Sequence, residues 1–367
     1  MRDLYDLTVV GGGPAGLYTA FYSGLRNMKT KIIEFQSQLG GKVLLYPEKM
    51  IWDVGGQPPT LGERFVKQLI EQGLTFDPTV CLGTKVEHIE RDELGHFILI
   101  TNDGERHYTK SVVMANGGGI INPMRLELEG AEKFEMTNLH YTVQSLNRFR
   151  DKTVLISGGG NAAVDWAVEL LPIAKKVIVI YRKDTLSAHE AQVEQLKHSD
   201  ADLLLNTTIE TLVSNMEKTA IEEVVLQVEH TGGKVAIKVD EVLINHGYDR
   251  DISLEFSTDL KPELVDDYYY KGDSTGSTSQ PGIFAAGDIL SFNGKVNLLV
   301  GAFQDAVNAV NQAKQYIDPK ADKFGMVSSH NETFVERNRK MISKLLDQES
   351  PDCQQSCAAN QSKALNI

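Results

Sequence analysis

DLTVVGGGPAGLYTAFYSG, residues 6–24, runs from a short apolar stretch through a cluster of glycines into a helical pattern. Gly11, Gly13 and Gly16 stand at the G-x-G-x-x-G spacing. The first two permit a tight turn and let backbone approach a pyrophosphate, and the third allows close packing of helix on strand. The helix that follows offers unpaired N–H groups and its positive dipole end to phosphate. The next apolar stretch, TKIIEF at residues 30–35, carries Glu34 near its end. A carboxylate there is placed to accept hydrogen bonds from an adenosine ribose.

The same grammar returns in KTVLISGGGNAAVDWAVELL, residues 152–171. Gly158, Gly160 and Ala163 give G-x-G-x-x-A, and Gly158 lies 147 positions after Gly11 (158 − 11). Eighteen residues beyond Gly16 stands Glu34; eighteen beyond Ala163 stands Tyr181, followed at once by Arg182 and Lys183. A carboxylate at this point would repel a 2′-phosphate, whereas a guanidinium pairs with one through charge-assisted hydrogen bonds. The second turn, with Gly158, Gly160, Asn161 and Ala162, therefore reads as an NADPH site. The first reads as a site for a dinucleotide with a free ribose, such as FAD. One such spacing also occurs where strands merely pack on helices; a pair with opposite charge at matching strand ends carries more weight.

A third signal is PGIFAAGD, residues 281–288, an apolar strand closed by Gly287-Asp288 ahead of a long helical pattern. Gly-Asp alone is a common turn. After two dinucleotide units, Asp288 reads as a third contact of one flavin site, accepting from a ribityl hydroxyl.

The chain of 367 residues is long enough for two domains, and its 41% hydrophobic and 24% charged content is that of a globular protein. A net charge of −13 argues against nucleic acid as partner. No apolar run approaches a membrane span, and MRDLYDLTVVGGG carries no basic n-region or cleavage site, so a cytoplasmic location is expected. The cysteines, Cys81, Cys353 and Cys357, are too few for a disulfide framework or an all-cysteine iron–sulfur cluster, and no metal is expected. Redox chemistry must then come from a bound cofactor.

With GGGPAG, GGGNAAVDWA and GIFAAGD, the chain resembles the two-dinucleotide-binding flavoprotein superfamily, in its thioredoxin-reductase-like branch. More narrowly, LGGKVLLYPEKMIWDVGGQP (39–58), NLHYTVQSL (138–146), LSAHE (186–190) and YIDPKA (316–321) are similar to ferredoxin–NADP reductases of that type, over residues 4–330. The resemblance implies an α/β fold of two Rossmann-like three-layer domains, the NADPH domain inserted into the FAD domain, in a homodimer. The implied division is 1–122 and 247–330 for FAD, 123–246 for NADPH, and 331–367 for a C-terminal helix and tail. Glu34 would hold the FAD ribose, and Gly11 to Gly16 (with Ala15), Gly41 and Lys42 would line the pyrophosphate. Val86 would face the adenine, Asp288 the flavin tail, and Tyr46 would stack on the isoalloxazine ring. Ile121 stands where relatives often carry an aromatic near the flavin, and His330 matches a histidine that covers the other ring face. Without the family, Tyr46 reads equally as an exposed turn aromatic and His330 as a surface histidine. Trp52 and Trp166 read as core residues.

Thioredoxin reductases carry a C-x-x-C just before the second turn, a region without cysteine here. A related low-molecular-weight disulfide branch carries a cysteine where this chain has Ala15. Both readings lose the thiolate they need. The expected reaction is FAD-dependent electron transfer between NADPH and a ferredoxin or flavodoxin, with no catalytic acid or base required. The competing reading is a disulfide reductase that uses Cys353 and Cys357, four apart in a polar tail. A further arginine usual before the AHE element is Ser187 here, which predicts a weaker preference for NADPH over NADH.

Overall fold

In the computed structural model, residues 3–119, 121–229, 232–250 and 253–348 are described. The chain begins with β1 (Leu4–Val10), crosses α1 (Pro14–Leu25) and lays β2 (Thr30–Ile33) parallel to β1, with Val10 opposite Ile33. Helix α2 (Gly62–Gly73) leads to β3 (Thr79–Cys81) beside β2. An antiparallel meander follows: β4 (Val86–Arg91), β5 (Phe97–Thr101) and the nine-residue β6 (Arg106–Met114), which returns to lie parallel on β1.

The chain then leaves this sheet through β7 (Ile121–Pro123) and builds a second one. Strands β8 (Leu139–His140), β9 (Thr153–Ser157), β10 (Lys176–Tyr181) and β11 (Asp202–Leu205) are joined by α3 (Asn161–Leu170) and α4 (Glu190–Lys197). A three-stranded antiparallel sheet of β12 (Thr207–Ser214), β13 (Ile221–Val228) and β14 (Gly233–Lys238) precedes β15 (Glu241–Ile244). The parallel sheet has the order β8-β15-β9-β10-β11. Its near-continuous apolar strands, such as KVIVIY and EVLI, suit a sheet covered on both faces. Trp166, Ala167 and Leu170 of α3 seal one face with Val154 and Val177; Ile221, Val224 and Leu226 of β13 seal the other with Leu155 and Ile178. Helices, parallel sheet and antiparallel sheet make three layers.

Strand β16 (Tyr248–Arg250) pairs antiparallel with β7, so both crossings between the sheets run side by side. Returning residues complete the first sheet: β17 (Glu255–Phe256) beside β4 and β18 (Ile283–Ala285) beside β6. Strand β6 thus has β5 against its first half and β18 against its second. Helix α5 (Leu299–Ile317) sets its alanine stripe, Ala302, Ala306, Ala309 and Ala313, into one core with Leu17 and Ala20 of α1. Small residues there let the two helix backbones approach closely. A last helix, α6 (Val335–Gln348), lies in the segment expected to hold a C-terminal helix and leaves Val335, Met341, Ile342 and Leu346 exposed.

One core expectation is corrected. Trp166 is 1% exposed, but Trp52 is 73% exposed. Trp52 lies in the connection between the short strands Met50–Ile51 and Thr60–Leu61; its neighbours Ile51 and Val54 pack against the first sheet's core, and Trp52 does not join them.

Candidate dinucleotide sites

The two turns are the same structure built twice. Gly11 N donates to Ile33 O (2.8 Å) and Gly158 N to Ile180 O (3.0 Å); Ala115 N donates to Val10 O and Asn245 N to Ser157 O, both 2.8 Å. Strand register therefore makes Glu34 and Tyr181 equivalent: each follows the residue opposite the last residue of its first strand. A Cβ on Gly16 would lie 1.9 Å from Gly11 O, so only glycine lets α1 sit on its turn. Ala163 is tolerated at the matching place in the second turn, where it is fully buried.

In the first turn the buried Glu34 carboxylate accepts from Gly12 N (2.5 Å) and, with its other oxygen, from Gln36 N (2.7 Å). Two amides fix its orientation and leave acceptor capacity free, since an ionised carboxylate has about four lone-pair sites. Thr84 N donates to Glu34 O at 3.0 Å, which brings the strand starting at Val86 beside it. Gly41, at φ +60°, comes so near that a Cβ on it would lie 2.7 Å from Gly13 Cα. Gly41 begins the 3₁₀ turn Gly41–Leu45, with Lys42 exposed, and Tyr46 ends it. Ala15 is buried where Gly287 meets it: a Cβ on Gly287 would lie 2.8 Å from Ala15 Cβ. Asp288 is exposed in the 3₁₀ turn Gly287–Ile289. That turn does not run into α5 as the sequence suggested; α5 starts at Leu299, and Asp305 of α5 reaches back to accept from Gly287 N at 3.1 Å. Ile121 contributes its backbone to the β7–β16 ribbon opposite Arg250.

Tyr46 is half-buried, and its ring lies 6.1 Å from that of Trp166 at 27°. Burial, then the neighbouring Tyr248 hydroxyl to which it hydrogen-bonds, raise its phenol pKa. The segment around it is tied to the second sheet's unit. Thr142 Oγ1 donates to Leu45 O (2.8 Å), Leu146 N donates to Glu48 Oε2 (2.6 Å), and Lys49 pairs with Asp165 (3.2 Å) and Glu169 (3.3 Å). His330 is not brought to Tyr46 within this chain. It is exposed, next to Asn331, whose Nδ2 donates to Leu25 O at the far end of α1. Twelve residues of α1 separate that end from the glycine turn, about 18 Å at helical rise.

In the second turn a Cβ on Gly159 would fall 2.4 Å from the Tyr181 ring, which covers the turn where Glu34 covers Gly12. Gly160, the cap of α3, has nothing within 4 Å of where its Cβ would be, so the helix N-terminus opens onto free space. Arg182 and Lys183 are exposed. Ser187, in place of the usual arginine, donates both N (2.7 Å) and Oγ (3.2 Å) to Gly159 O. Asn161 Oδ1 accepts from His189 N at 2.9 Å. The basic loop is thereby pinned to the turn it serves.

Several contributors were not singled out from the sequence. Asp305 carries a buried ion pair with Lys295, and its signal was an acid within the alanine stripe of α5. Asn116 and His246 stand at equivalent places after β6 and β15, visible only once ANG and NHG are aligned as repeat ends. Asn116 Oδ1 and Asn245 Oδ1 are buried without a partner. Both lie beside the glycine turns, and an orphaned acceptor at each turn fits a bound dinucleotide that donates to it.

The family model for pyridine nucleotide-disulphide oxidoreductases matches residues 5–313. Ferredoxin–NADP reductase 3 of Lysinibacillus sphaericus is 62% identical over 347 residues, 94% of this chain and 99% of that protein. Ferredoxin–NADP reductase 2 of Exiguobacterium sibiricum is 57% identical over 347 residues, 95% of this chain and 99% of that protein. Among solved structures, the Lactococcus lactis thioredoxin reductase superposes with a TM-score of 0.68 at 24% identity, covering 85% of this chain and 99% of that one. The T. acidophilum thioredoxin reductase gives 0.69 at 23% identity, covering 87% and 100%. These likenesses agree on a fold of two Rossmann-like units.

Proposed function

Because the chain belongs to the pyridine nucleotide-disulphide oxidoreductase family, we propose that it is an FAD-dependent ferredoxin–NADP reductase, an enzyme that moves electrons between NADPH and ferredoxin. The observation that carries this reading is 62% identity, across nearly the whole of both chains, to a curated ferredoxin–NADP reductase. Bound FAD supplies the exchange between a two-electron hydride donor and a one-electron carrier.

The chain's own residues bind and orient. In this reading Glu34 accepts the ribose hydroxyls of FAD, while Gly11, Gly13, Ala15, Gly16, Gly41 and Lys42 surround its pyrophosphate. Val86 borders the adenine, Asp288 takes the ribityl end, and Tyr46 and Ile121 flank the ring. Gly158, Gly160, Asn161 and Ala162 receive the NADPH pyrophosphate, and Arg182 and Lys183 its 2′-phosphate. The corresponding division is 1–122 and 247–330 for FAD and 123–246 for NADPH, supported by the paired crossings at β7 and β16. A homodimer is supported by the uncovered apolar side chains of α6. A cytoplasmic location accords with the absence, among the described residues, of any helix long and apolar enough to cross a membrane. Flavodoxin is a second acceptor of the same chemical kind.

Cys353 and Cys357, on which a disulfide reductase would depend, lie outside the described residues. Among those described, Cys81 is the free thiol, and burial raises its pKa away from the reactive range.

The test is reduction of cytochrome c by the purified flavoprotein with NADPH, with and without catalytic ferredoxin. Strong stimulation is expected. Flavin bleaching by NADPH with no stimulation by ferredoxin or flavodoxin would remove the acceptor assignment.

A further inference from the structure

His246 stands on the crevice wall just past β15, at the mouth of the second glycine turn. Ser157, the last residue of β9, holds it: Ser157 Oγ and His246 Nε2 are 2.8 Å apart. Ser157 itself is buried, and its carbonyl takes the Asn245 amide, so both ends of this contact are fixed by the β9–β15 pairing. With Nε2 engaged, Nδ1 is the nitrogen left for a ligand. His246 is exposed as a residue.

The charge facing it comes from beyond β10. Arg182 acts on the imidazole from there, and its influence, after that of crowding around the ring, holds the histidine below its ordinary pKa. On β9 the facing groups are Ser157 and the turn amides, which are uncharged. Tyr248, on β16, is engaged with Tyr46. The acid of its own strand, Glu241, lies five residues away, about 16 Å along an extended chain. That acid is already bound to His140 and Lys152. Among the described residues no carboxylate pairs with His246, and a positive arginine, an imidazole and the open N-terminus at Gly160 gather around the second turn. That combination recognises a phosphate.

We propose that His246, held by Ser157 and facing Arg182, is a phosphate contact of the nicotinamide dinucleotide whose binding takes up a proton. This rests on the NADPH reading of the second turn. A phosphate that settles against both groups removes their mutual repulsion and pairs with the imidazolium, so the proton is bound more tightly in the complex than in the free enzyme. By linkage, affinity is greatest at low pH, falls as pH rises between the free and bound titrations of His246, and is level above both. The phosphate is either the 2′-phosphate or the pyrophosphate.

The experiment is calorimetric titration of the oxidised holoenzyme with NADP⁺ at pH 7.5, in buffers of different ionisation enthalpy. The buffer dependence of the heat counts protons. Net uptake is expected in the wild type and its loss in His246→Gln, with affinity falling up to about tenfold per pH unit in the linked window. Parallel titrations with NAD⁺ and 2′,5′-ADP separate the sources. Uptake with 2′,5′-ADP but not NAD⁺ assigns the 2′-phosphate, and uptake with both NADP⁺ and NAD⁺ assigns the pyrophosphate. Ser157→Ala, which frees the ring and removes no charge, is expected to reduce the uptake partially. Binding of NADP⁺ with no uptake, or with uptake unchanged in His246→Gln, overturns the proposal and leaves the NADPH assignment standing. No binding of NADP⁺ or NAD⁺ at all overturns both.

Discussion

Glu34 and Tyr181 occupy one and the same register position in two sheets, and each closes over the middle glycine of its turn: the carboxylate by accepting from Gly12 N, the phenol ring by packing on Gly159. A shared backbone thus presents an acceptor in one site and a neutral ring, with Arg182 beyond it, in the other. Replacing Glu34 with Gln removes charge-assisted hydrogen bonds worth about 1.5–3 kcal/mol. FAD affinity on reconstitution of the apoprotein is expected to fall roughly 10- to 100-fold. The dissociation constant for NADP⁺, measured on fully flavinated protein, is expected to stay within about twofold, because the second turn is untouched.

Arg182→Ala tests the opposite end of the same relationship. KM for NADPH is expected to rise about tenfold or more, from the same range of about 1.5–3 kcal/mol per charged contact, with KM for NADH nearly unchanged. Equal losses for both coenzymes would show that Arg182 does not read the 2′-phosphate.

The glycines separate folding from binding. Gly16→Ala would force a Cβ against Gly11 O and is expected to yield protein without flavin or without a stable fold. Gly160→Ala meets no protein atom, so thermal stability and flavin content are expected to match the wild type while KM for NADPH rises. Thermal melts and flavin absorbance distinguish the two.

Acid sensitivity has a named source. Glu241 is 2% exposed and bound by His140 (2.6 Å), Lys152 and Arg148 (3.5 Å). Burial alone would raise its pKa, but the hydrogen bonds from His140 and Lys152 outweigh it and hold the value below the ordinary one. Its contribution to stability is therefore complete above the unfolded-state value of about 4.3 and is lost as pH falls through the lower folded-state value. Glu241→Gln is expected to lower stability at pH 7 and to flatten the acid limb of denaturation midpoint against pH. An unchanged acid limb would place the sensitivity elsewhere.

The two tryptophans give a direct check on burial. In Trp52→Phe, the remaining Trp166 emission is expected to be blue-shifted and resistant to acrylamide, whereas Trp166→Phe should leave a red-shifted, easily quenched signal from Trp52.

The fold was legible because its decisive features are local. Two glycine turns, two apolar strands before them and a countable spacing to Glu34 and Tyr181 need no tertiary information. Other features depend on contacts distant in sequence. The stacking of Tyr46 on Trp166 joins residues 120 positions apart (166 − 46). Asp305 reaches Gly287 only because α5 folds back over its own approach, and Trp52 looked buried because sequence cannot report that Ile51 and Val54 turn inward while Trp52 does not. His246 was hidden for another reason: NHG shares only its last glycine and one asparagine with ANG, and their equivalence rests on strand register.

Strand β6 also fixes an order of events during synthesis. Its first half pairs with residues 97–100, but along that edge its second half waits for residues 283–285, 171 positions downstream (283 − 112). The second sheet, by contrast, is gathered entirely within residues 139–244 and can close while the first is still unfinished. Nascent chains halted before residue 283 are expected to show a protease-resistant core from the second sheet and no flavin retention. A ribosome making this protein would then finish the inner part before the outer one, and the flavin would enter only after residues 283–285 had joined the first sheet.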